Sequence, residues 1–164
     1  MDGVDASIIY SDGTSKYKAI LNKYFVYNED FYQDLTSLRD KINSFKDLKR
    51  LSNDLKSIEK EITLFHAKVV NEMIREFNVD IDFIGFHGQT IFHNADEKIS
   101  RQLGDGKLLS QLTKKTVVYD FRQNDLKNGG HGAPLAPIFH QLIVKQNKID
   151  LPVCILNIGG IANI

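Results

Sequence analysis

The sequence predicts an α/β fold in which helices cover a largely parallel sheet. Short apolar runs bounded by glycine, proline and asparagine alternate with segments whose apolar residues recur every three or four positions. The first pattern is typical of strands and the second of amphipathic helices. Strands that alternate with helices usually pair in parallel, and 164 residues with 42% hydrophobic content suffice for a buried core.

The chain opens with two predicted strands. Residues 4–10 end in β-branched and aromatic residues, Ser11-Asp12-Gly13 supplies turn chemistry, and residues 17–26 form the second strand. Only the short acidic segment MDGVD precedes the first strand. We therefore expect this strand to be one arm of an interrupted hairpin.

Two helices are predicted over residues 30–50 and 51–77. Their apolar residues follow helical spacing, and we interpret them as core residues, with the intervening charged residues as the solvated face. These residues are Phe31, Leu35, Leu38, Ile42, Phe45, Leu51, Leu55, Ile58, Ile62, Phe65, Val69, Met73 and Phe77.

From Asp80 onward, strands and tight turns dominate. The predicted elements are a strand at 82–86, a turn at 87–89 with a returning arm at 91–93, a strand at 99–103, a helix at 108–113, a buried strand at 116–121, a helix at 134–145 and a strand at 153–158. Residues 147–152 are the nearest candidate for a domain boundary. After the Gly159-Gly160 turn only four residues remain, which predicts a second interrupted hairpin.

Composition narrows the classes of function. Lys+Arg and Asp+Glu both number 21, so no net charge draws the protein to nucleic acid or to an anionic membrane, and neither is an expected partner. The single cysteine, Cys154, lies in an apolar run and is interpreted as a small buried hydrophobe. With no long apolar run and a polar N-terminus, we expect a cytoplasmic protein.

Four turns are candidate ligand sites, because ligands of such sheets gather beyond the carboxyl ends of strands. They are MDGVD, FHGQT, DFRQNDLKNGGHGAPLAP and NIGGIAN. The first and last offer backbone N–H groups that can cradle phosphate. FHGQT offers neutral hydrogen bonds of the kind that fix a sugar or a peptide, or it is an ordinary hairpin turn with exposed polar tips.

The third turn carries the most charge. Arg122 can bind a carboxylate or phosphate with two hydrogen bonds, and the glycines before the next helix form an anion site. The alternative is that Arg122 pairs with Asp120 or Asp125 on the surface while the glycines only turn the chain. The histidines show no metal-ligand spacing, so no metal-binding residue is predicted from them.

The sequence resembles the anhydro-N-acetylmuramic acid kinases, cell-wall recycling enzymes of the actin, sugar-kinase and heat-shock ATPase superfamily. MDGVDA resembles the end of the family's GTSMDGVDA phosphate loop. The strings IGFHGQTIFH, RQLGDG, VVYDFRQNDLKNGGHGAPLAPIFH and LNIGGIANI follow in family order. The likeness covers essentially the whole chain, although residues 16–78 carry little of it.

The resemblance implies a ribonuclease-H-like (actin-like ATPase) domain with a mixed sheet flanked by helices, truncated at both ends. Residues 1–150 would be the first actin-like domain without its first strand, and 151–164 the opening strand and turn of the second. The family's catalytic aspartate, in a motif like FDTGPGN, would lie beyond Ile164. In the family this aspartate activates the water that opens the anhydro ring, and the freed oxygen accepts the γ-phosphoryl group of MgATP.

Site residues carry over by position. Thr90 and Arg122 would face the sugar, with Asp125 supporting them, and Asp2 would lie near Mg²⁺. His131 stands where the family usually has Gln, which alters the hydrogen bonds that this position can make. The residues expected to bind ATP are Met1, Asp2, Gly3, Val4, Asp5, Gly159, Gly160 and Asn163.

The predicted function is therefore ATP-dependent conversion of 1,6-anhydro-N-acetylmuramic acid to N-acetylmuramic acid 6-phosphate in peptidoglycan recycling. We expect this chain to be inactive alone, because one wall of the cleft would be absent. Expected partners are the missing C-terminal half or a second copy of the chain. The alternative is a non-catalytic sugar-binding or interaction module from a split or degraded kinase gene.

Overall fold

The structure is a computed structural model that describes residues 2–78, 80–158 and 162–163. Helices and strands alternate along much of it, which confirms the α/β class. The strands are β1 (Gly3–Ser11), β2 (Tyr17–Val26), β3 (Phe83–Phe86), β4 (Gln89–Asn94), β5 (Ile99–Leu103), β6 (Thr116–Tyr119), β7 (Asn157–Ile158) and β8 (Ala162–Asn163). The helices are α1 (Glu29–Asp40), α2 (Phe45–Arg50), α3 (Ser52–Phe77), α4 (Gly106–Thr113), α5 (Phe121–Lys127) and α6 (Ala136–Gln146).

Contacts within the chain divide it into two compact units. The larger unit comprises residues 1–6 and 23–133, and the smaller unit comprises residues 7–22 and 134–164. The division at residue 150 into two actin-like domains stays a prediction. Within the described ranges, no helix is both long enough and apolar enough to cross a bilayer.

Side chains at the helix ends fix where several helices begin and stop. Asn28 accepts a hydrogen bond from the Phe31 backbone N–H at 2.8 Å and so caps α1. Asp105 does the same for α4, accepting from Lys107 and Leu108 at 2.9 and 3.0 Å. Asn78 ends α3 in the left-handed conformation, with φ at 50°.

Helix α3 carries the core of the larger unit. Its predicted apolar face is confirmed, since Leu55, Ile58, Ile62, Val69 and Met73 are buried. The helix contacts α1, α2, α4 and β5. Burial of this face against four other elements makes α3 the main support of the residues around it.

The predicted single helix over residues 30–50 is wrong, because the chain breaks between α1 and α2. Ser44 is extended, with φ at −151°. The Asp47 carboxylate accepts from the Ser44 hydroxyl at 2.8 Å and from the Asn43 backbone N–H at 3.2 Å. These local bonds compete with the helical ladder, so a new helix starts after Ser44.

The predictions of a largely parallel sheet and of a hairpin at FHGQT are wrong as well. The described strands form four two-stranded pairs, in which β3 lies parallel to β6 whereas β4 is antiparallel to β5. FHGQT therefore does not return the chain along β3 as a hairpin. Gly88 has φ at +67°, and a Cβ there would lie 2.3 Å from the Leu103 carbonyl oxygen. Only glycine allows the backbone to pass this close to the end of β5.

Two apolar runs are shorter strands than predicted. β6 stops at Tyr119, Phe121 begins α5, and Val118 is 47% exposed rather than buried. The reason is Asp120, whose left-handed backbone (φ 59°) turns the chain out of the strand. Residues 153–156 form no strand, and Cys154 is exposed, contrary to its predicted burial.

We predict that Ile62→Ala lowers the free energy of unfolding by about 2–5 kcal/mol, because it leaves a cavity in the core. Ile62 is 0% exposed, whereas Leu64 on the same helix is 46% exposed. Leu64→Ala is therefore the matched control and should cost less than about 1 kcal/mol. Urea denaturation followed by circular dichroism measures both, and equal losses would contradict this description of the core.

Candidate functional site

A cavity of about 230 Å³ lies in the larger unit at the carboxyl ends of β3 and β6. The parallel register pairs Phe86 with Tyr119, so the residues that follow them emerge at the same edge. FHGQT and DFRQN, far apart in sequence, are brought together here. The cavity is lined by Phe86, His87, Ser100, Arg101, Gln102, Gly104, Tyr119, Asp120 and Gln123.

Arg122, in the first turn of α5, borders this site through its contact with His87. Its Nη1 donates to the Gly132 carbonyl oxygen at 2.7 Å, and its Nη2 lies 2.9 Å from His87 Nε2. Among the described residues, no carboxylate forms an ion pair with Arg122. The alternative in which Arg122 pairs with Asp120 or Asp125 is therefore wrong.

Asp125 supports the loop that holds Arg122. Its Oδ2 accepts from the Gly132 backbone N–H at 2.7 Å, so Gly132 is bonded to Asp125 through its N–H and to Arg122 through its carbonyl. Gly132 has φ at +68°, and a Cβ there would lie 2.9 Å from Leu126 Cγ. A side chain at this position would be strained and crowded, so glycine is required.

Thr90 belongs to a second hydrogen-bond network, which it shares with the cavity-lining residues Gln102 and Ser100. Gln102 Nε2 donates to Thr90 Oγ1 at 3.2 Å and to Ser100 Oγ at 2.8 Å. The Ser100 carbonyl oxygen accepts from Gln123 Nε2 at 2.7 Å. The network presents neutral amide and hydroxyl groups, while Arg122 contributes positive charge at the edge of the site.

Burial shapes the electrostatics of the site. Loss of water lowers the pKa of the half-buried Arg122 guanidinium. Loss of water also lowers the pKa of His87. The hydrogen bond with Gly88 raises this pKa, and the charge of Arg122 lowers it further. Two buried atoms, Arg122 Nε and Gln102 Oε1, have no hydrogen-bond partner in the described part of the chain.

Glu59 on α3 anchors the β5 side of the cavity. Its Oε1 accepts from Arg101 Nη2 at 2.9 Å and from the Gly104 backbone N–H at 3.1 Å. On the next turn, Thr63 Oγ1 accepts from the Asp105 N–H at 2.9 Å. The RQLGDG segment is thus bonded to the core helix at three points, which holds Arg101 in its ion pair with Glu59.

Among the residues predicted to bind nucleotide, Asp2 precedes β1, and Gly3, Val4 and Asp5 lie in it. The Asp2 carbonyl accepts from the Tyr27 N–H at 2.9 Å, and Asp2 has its pKa lowered by a hydrogen bond from its own backbone and then by the Tyr24 hydroxyl. Asp2 and Asp5 are exposed and Val4 is buried, so Val4 could contact a nucleotide only through its backbone. Met1, Gly159 and Gly160 lie outside the described residues, and Asn163 lies in β8.

Sequence reasoning missed His87, Gln102 and Gln123 as site residues. His87 and Gln123 lie in the segments FHGQT and DFRQN, which the sequence did single out. Gln123 directly follows Arg122, and His87 lies three positions before Thr90. Gln102 lies on β5, and its role depends on the pairing of β5 with β4. Alternation along β5 could have indicated which of its side chains share a face, but not what they face.

The family model and the similar proteins all point to one family. The model of the family "Anhydro-N-acetylmuramic acid kinase" matches residues 1–164. The chain is 64% identical over 164 residues to the anhydro-N-acetylmuramic acid kinase of Pelagibacter ubique (strain HTCC1062), covering 100% of this chain and 44% of that protein. It is 37% identical over 169 residues to the protein of that name from Agrobacterium fabrum (strain C58 / ATCC 33970), covering 100% and 45%. The chain thus spans a little under half the length of these relatives.

We predict that Asp125→Ala speeds amide hydrogen exchange at Gly132 about five- to tenfold, since it removes a hydrogen bond worth about 1 kcal/mol. Asp125→Asn keeps an acceptor oxygen and should restore most of the protection. Lys127→Ala, exposed on the same helix, is the control and should leave the rate unchanged. Unchanged exchange in Asp125→Ala would show that Asp125 does not hold this loop.

Proposed function

The chain belongs to the anhydro-N-acetylmuramic acid kinase family, and on that premise we propose that it supplies the sugar-binding wall of such a kinase. In the proposed reaction, water opens the anhydro bridge and the freed oxygen receives the γ-phosphoryl group of ATP. The product is N-acetylmuramic acid 6-phosphate. We assign this reaction to peptidoglycan recycling in the cytoplasm, where ATP is available.

The proposal rests on the positive charge of Arg122, which the described residues do not neutralise. A half-buried guanidinium loses hydration, and no carboxylate among the described residues compensates it. Such a charge is stabilised when an anion binds beside it. The proposed substrate is a sugar acid, so its carboxylate is a fitting partner for Arg122.

The rest of the wall suits the neutral parts of a sugar. Thr90, Gln102 and Gln123 provide a hydroxyl and two amides at or beside the cavity, and these groups form hydrogen bonds with hydroxyl and N-acetyl groups. The cavity of about 230 Å³ is smaller than a complete small-molecule site, which usually measures roughly 300–1,000 Å³. This supports a half-site that another part of the enzyme completes.

We assign ATP binding to two segments of the sequence. The first comprises Met1, Asp2, Gly3, Val4 and Asp5, and the second comprises Gly159, Gly160 and Asn163. Among the described residues no cluster of three or more carboxylate, histidine or cysteine side chains could hold a metal. Mg²⁺ does not need one, because it binds through one or two carboxylates with water and phosphate. The exposed Asp2, with its lowered pKa, stays ionised and fits that role.

The residues of this chain bind and orient the sugar, whereas we assign the catalytic base to the C-terminal part that the family's longer members contain. Bound Mg²⁺ would neutralise charge on the transferred phosphoryl group. The chain's partner is therefore such a C-terminal half, or a second copy that completes the cleft. The chain alone is proposed to be inactive.

We predict that Arg122→Gln weakens binding of anhydro-N-acetylmuramic acid by about 10- to 100-fold, since a charge-assisted hydrogen bond contributes about 1.5–3 kcal/mol. Isothermal titration calorimetry measures this. 1,6-Anhydro-N-acetylglucosamine, which lacks the carboxylate, should bind both forms equally. Lys127→Gln on the same helix is the protein control. If Arg122→Gln binds the acid as tightly as the unaltered chain, Arg122 does not bind the carboxylate.

We predict that this chain, co-purified with the C-terminal remainder of the Pelagibacter ubique relative, forms N-acetylmuramic acid 6-phosphate from MgATP and the anhydro sugar. Mass spectrometry of the product is the measurement, and each part alone is the control. Product formed by this chain alone would overturn its proposed inactivity. A stable complex that binds both ligands but forms no product would count against the kinase proposal.

A further inference from the structure

The Arg122 guanidinium is held between two loops. The loop after α5 provides the Gly132 carbonyl oxygen, and the turn after β3 provides His87. We propose that His87, as a neutral imidazole with its proton on Nδ1, is the positioning residue that fixes Arg122 for an anionic ligand group. The ligand in this statement is the sugar acid, so this part of the inference rests on the proposed function.

The tautomer follows from the chemistry of the two neighbours of His87. A guanidinium has only donors, so His87 Nε2, which lies 2.9 Å from Arg122 Nη2, must accept and carry no proton. The Gly88 carbonyl oxygen has only lone pairs, so His87 Nδ1, which lies 2.8 Å from it, must donate. Both contacts require the same neutral form, because a neutral imidazole has one donor and one acceptor.

Electrostatics also favour the neutral form of the His87 ring. An imidazolium would point an N–H at the N–H of Arg122 and place two positive charges side by side. The pKa of His87 is lowered, first by loss of water around the ring and further by the charge of Arg122. His87 is therefore neutral at pH 7.5, and the contact with Arg122 persists there.

The contact between His87 and Arg122 sets the direction in which the other N–H groups of the guanidinium point. Each terminal nitrogen of a guanidinium carries two N–H groups, and the described contacts use one on Nη1 and one on Nη2. The second N–H of each has no acceptor among the described residues and remains for a ligand. A free arginine side chain would lose rotamer entropy on binding, and a side chain that is already fixed loses less.

His87 also lines the cavity, so the arginine that it holds is placed at the edge of the cavity. The Gly132 carbonyl alone fixes only Nη1. Without His87, the guanidinium would keep one hydrogen bond within the described residues, and Nη2 would have no acceptor there to fix it. His87 thus orients Arg122 and does not itself bind the anionic group.

The first test needs no sugar. The ¹⁵N spectrum of the His87 ring at pH 7.5 should show a neutral ring with Nδ1 protonated, and the relaxation of Arg122 Nε should show an ordered guanidinium. His87→Ala should lower that order, while His87→Gln, whose carbonyl oxygen can accept from Arg122, should restore it. A protonated ring, an Nε2–H tautomer or unchanged order in His87→Ala would overturn the proposal.

The second test uses calorimetry with anhydro-N-acetylmuramic acid. His87→Ala should bind about tenfold more weakly, His87→Gln within about threefold of the unaltered chain, and the control His140→Ala unchanged. Equal unfolding midpoints would show that the variants fold alike. Equal affinity of His87→Ala and the unaltered chain would overturn the positioning role. If the unaltered chain binds no sugar acid even with the C-terminal remainder of the relative present, the proposed function fails, and the first test alone decides whether His87 orders Arg122.

Discussion

A half-buried guanidinium that has no carboxylate partner within the described part of the chain is the feature on which the rest of the site depends. Arg122 loses hydration at the edge of the cavity, and the protein offsets this with two neutral acceptors, the Gly132 carbonyl and His87. Neutral acceptors hold the group in place without cancelling its charge. The site therefore keeps its attraction for an anion, which an ion pair with Asp120 or Asp125 would have removed.

The fold provides this arrangement through the pairing of two short strands. The parallel register of β3 and β6 places the turn that contains His87 beside the start of α5, which contains Arg122. The left-handed backbone of Asp120 then starts α5 directly after the strand. On the other side of the cavity, Glu59 and Thr63 bond the β5 end to the core helix. A buried helix thus supports the wall that carries the neutral hydrogen-bonding groups.

The sequence allowed prediction where local periodicity decides the structure. α3 has a long apolar face, and the predicted bounds of the strands at 17–26 and 99–103 are confirmed. Strand pairing could not be predicted in this way. The Gly88 turn between β3 and β4 is typical of a hairpin, yet β4 pairs with β5 and not with β3. The hydrogen-bond partners of Arg122 could not be predicted from the sequence either. Nearby carboxylates made an ion pair the alternative interpretation, whereas Asp125 binds the Gly132 N–H and His87 comes from a distant turn.

We propose that Arg122, oriented by protein acceptors, binds the carboxylate of the sugar acid. The decisive measurement is a crystal structure of the chain with anhydro-N-acetylmuramic acid bound. We expect the sugar carboxylate within hydrogen-bond distance of the terminal nitrogens of Arg122, with the contact between Arg122 and His87 retained. A sugar bound elsewhere, or an Arg122 that turns away to pair with a protein carboxylate, would contradict it.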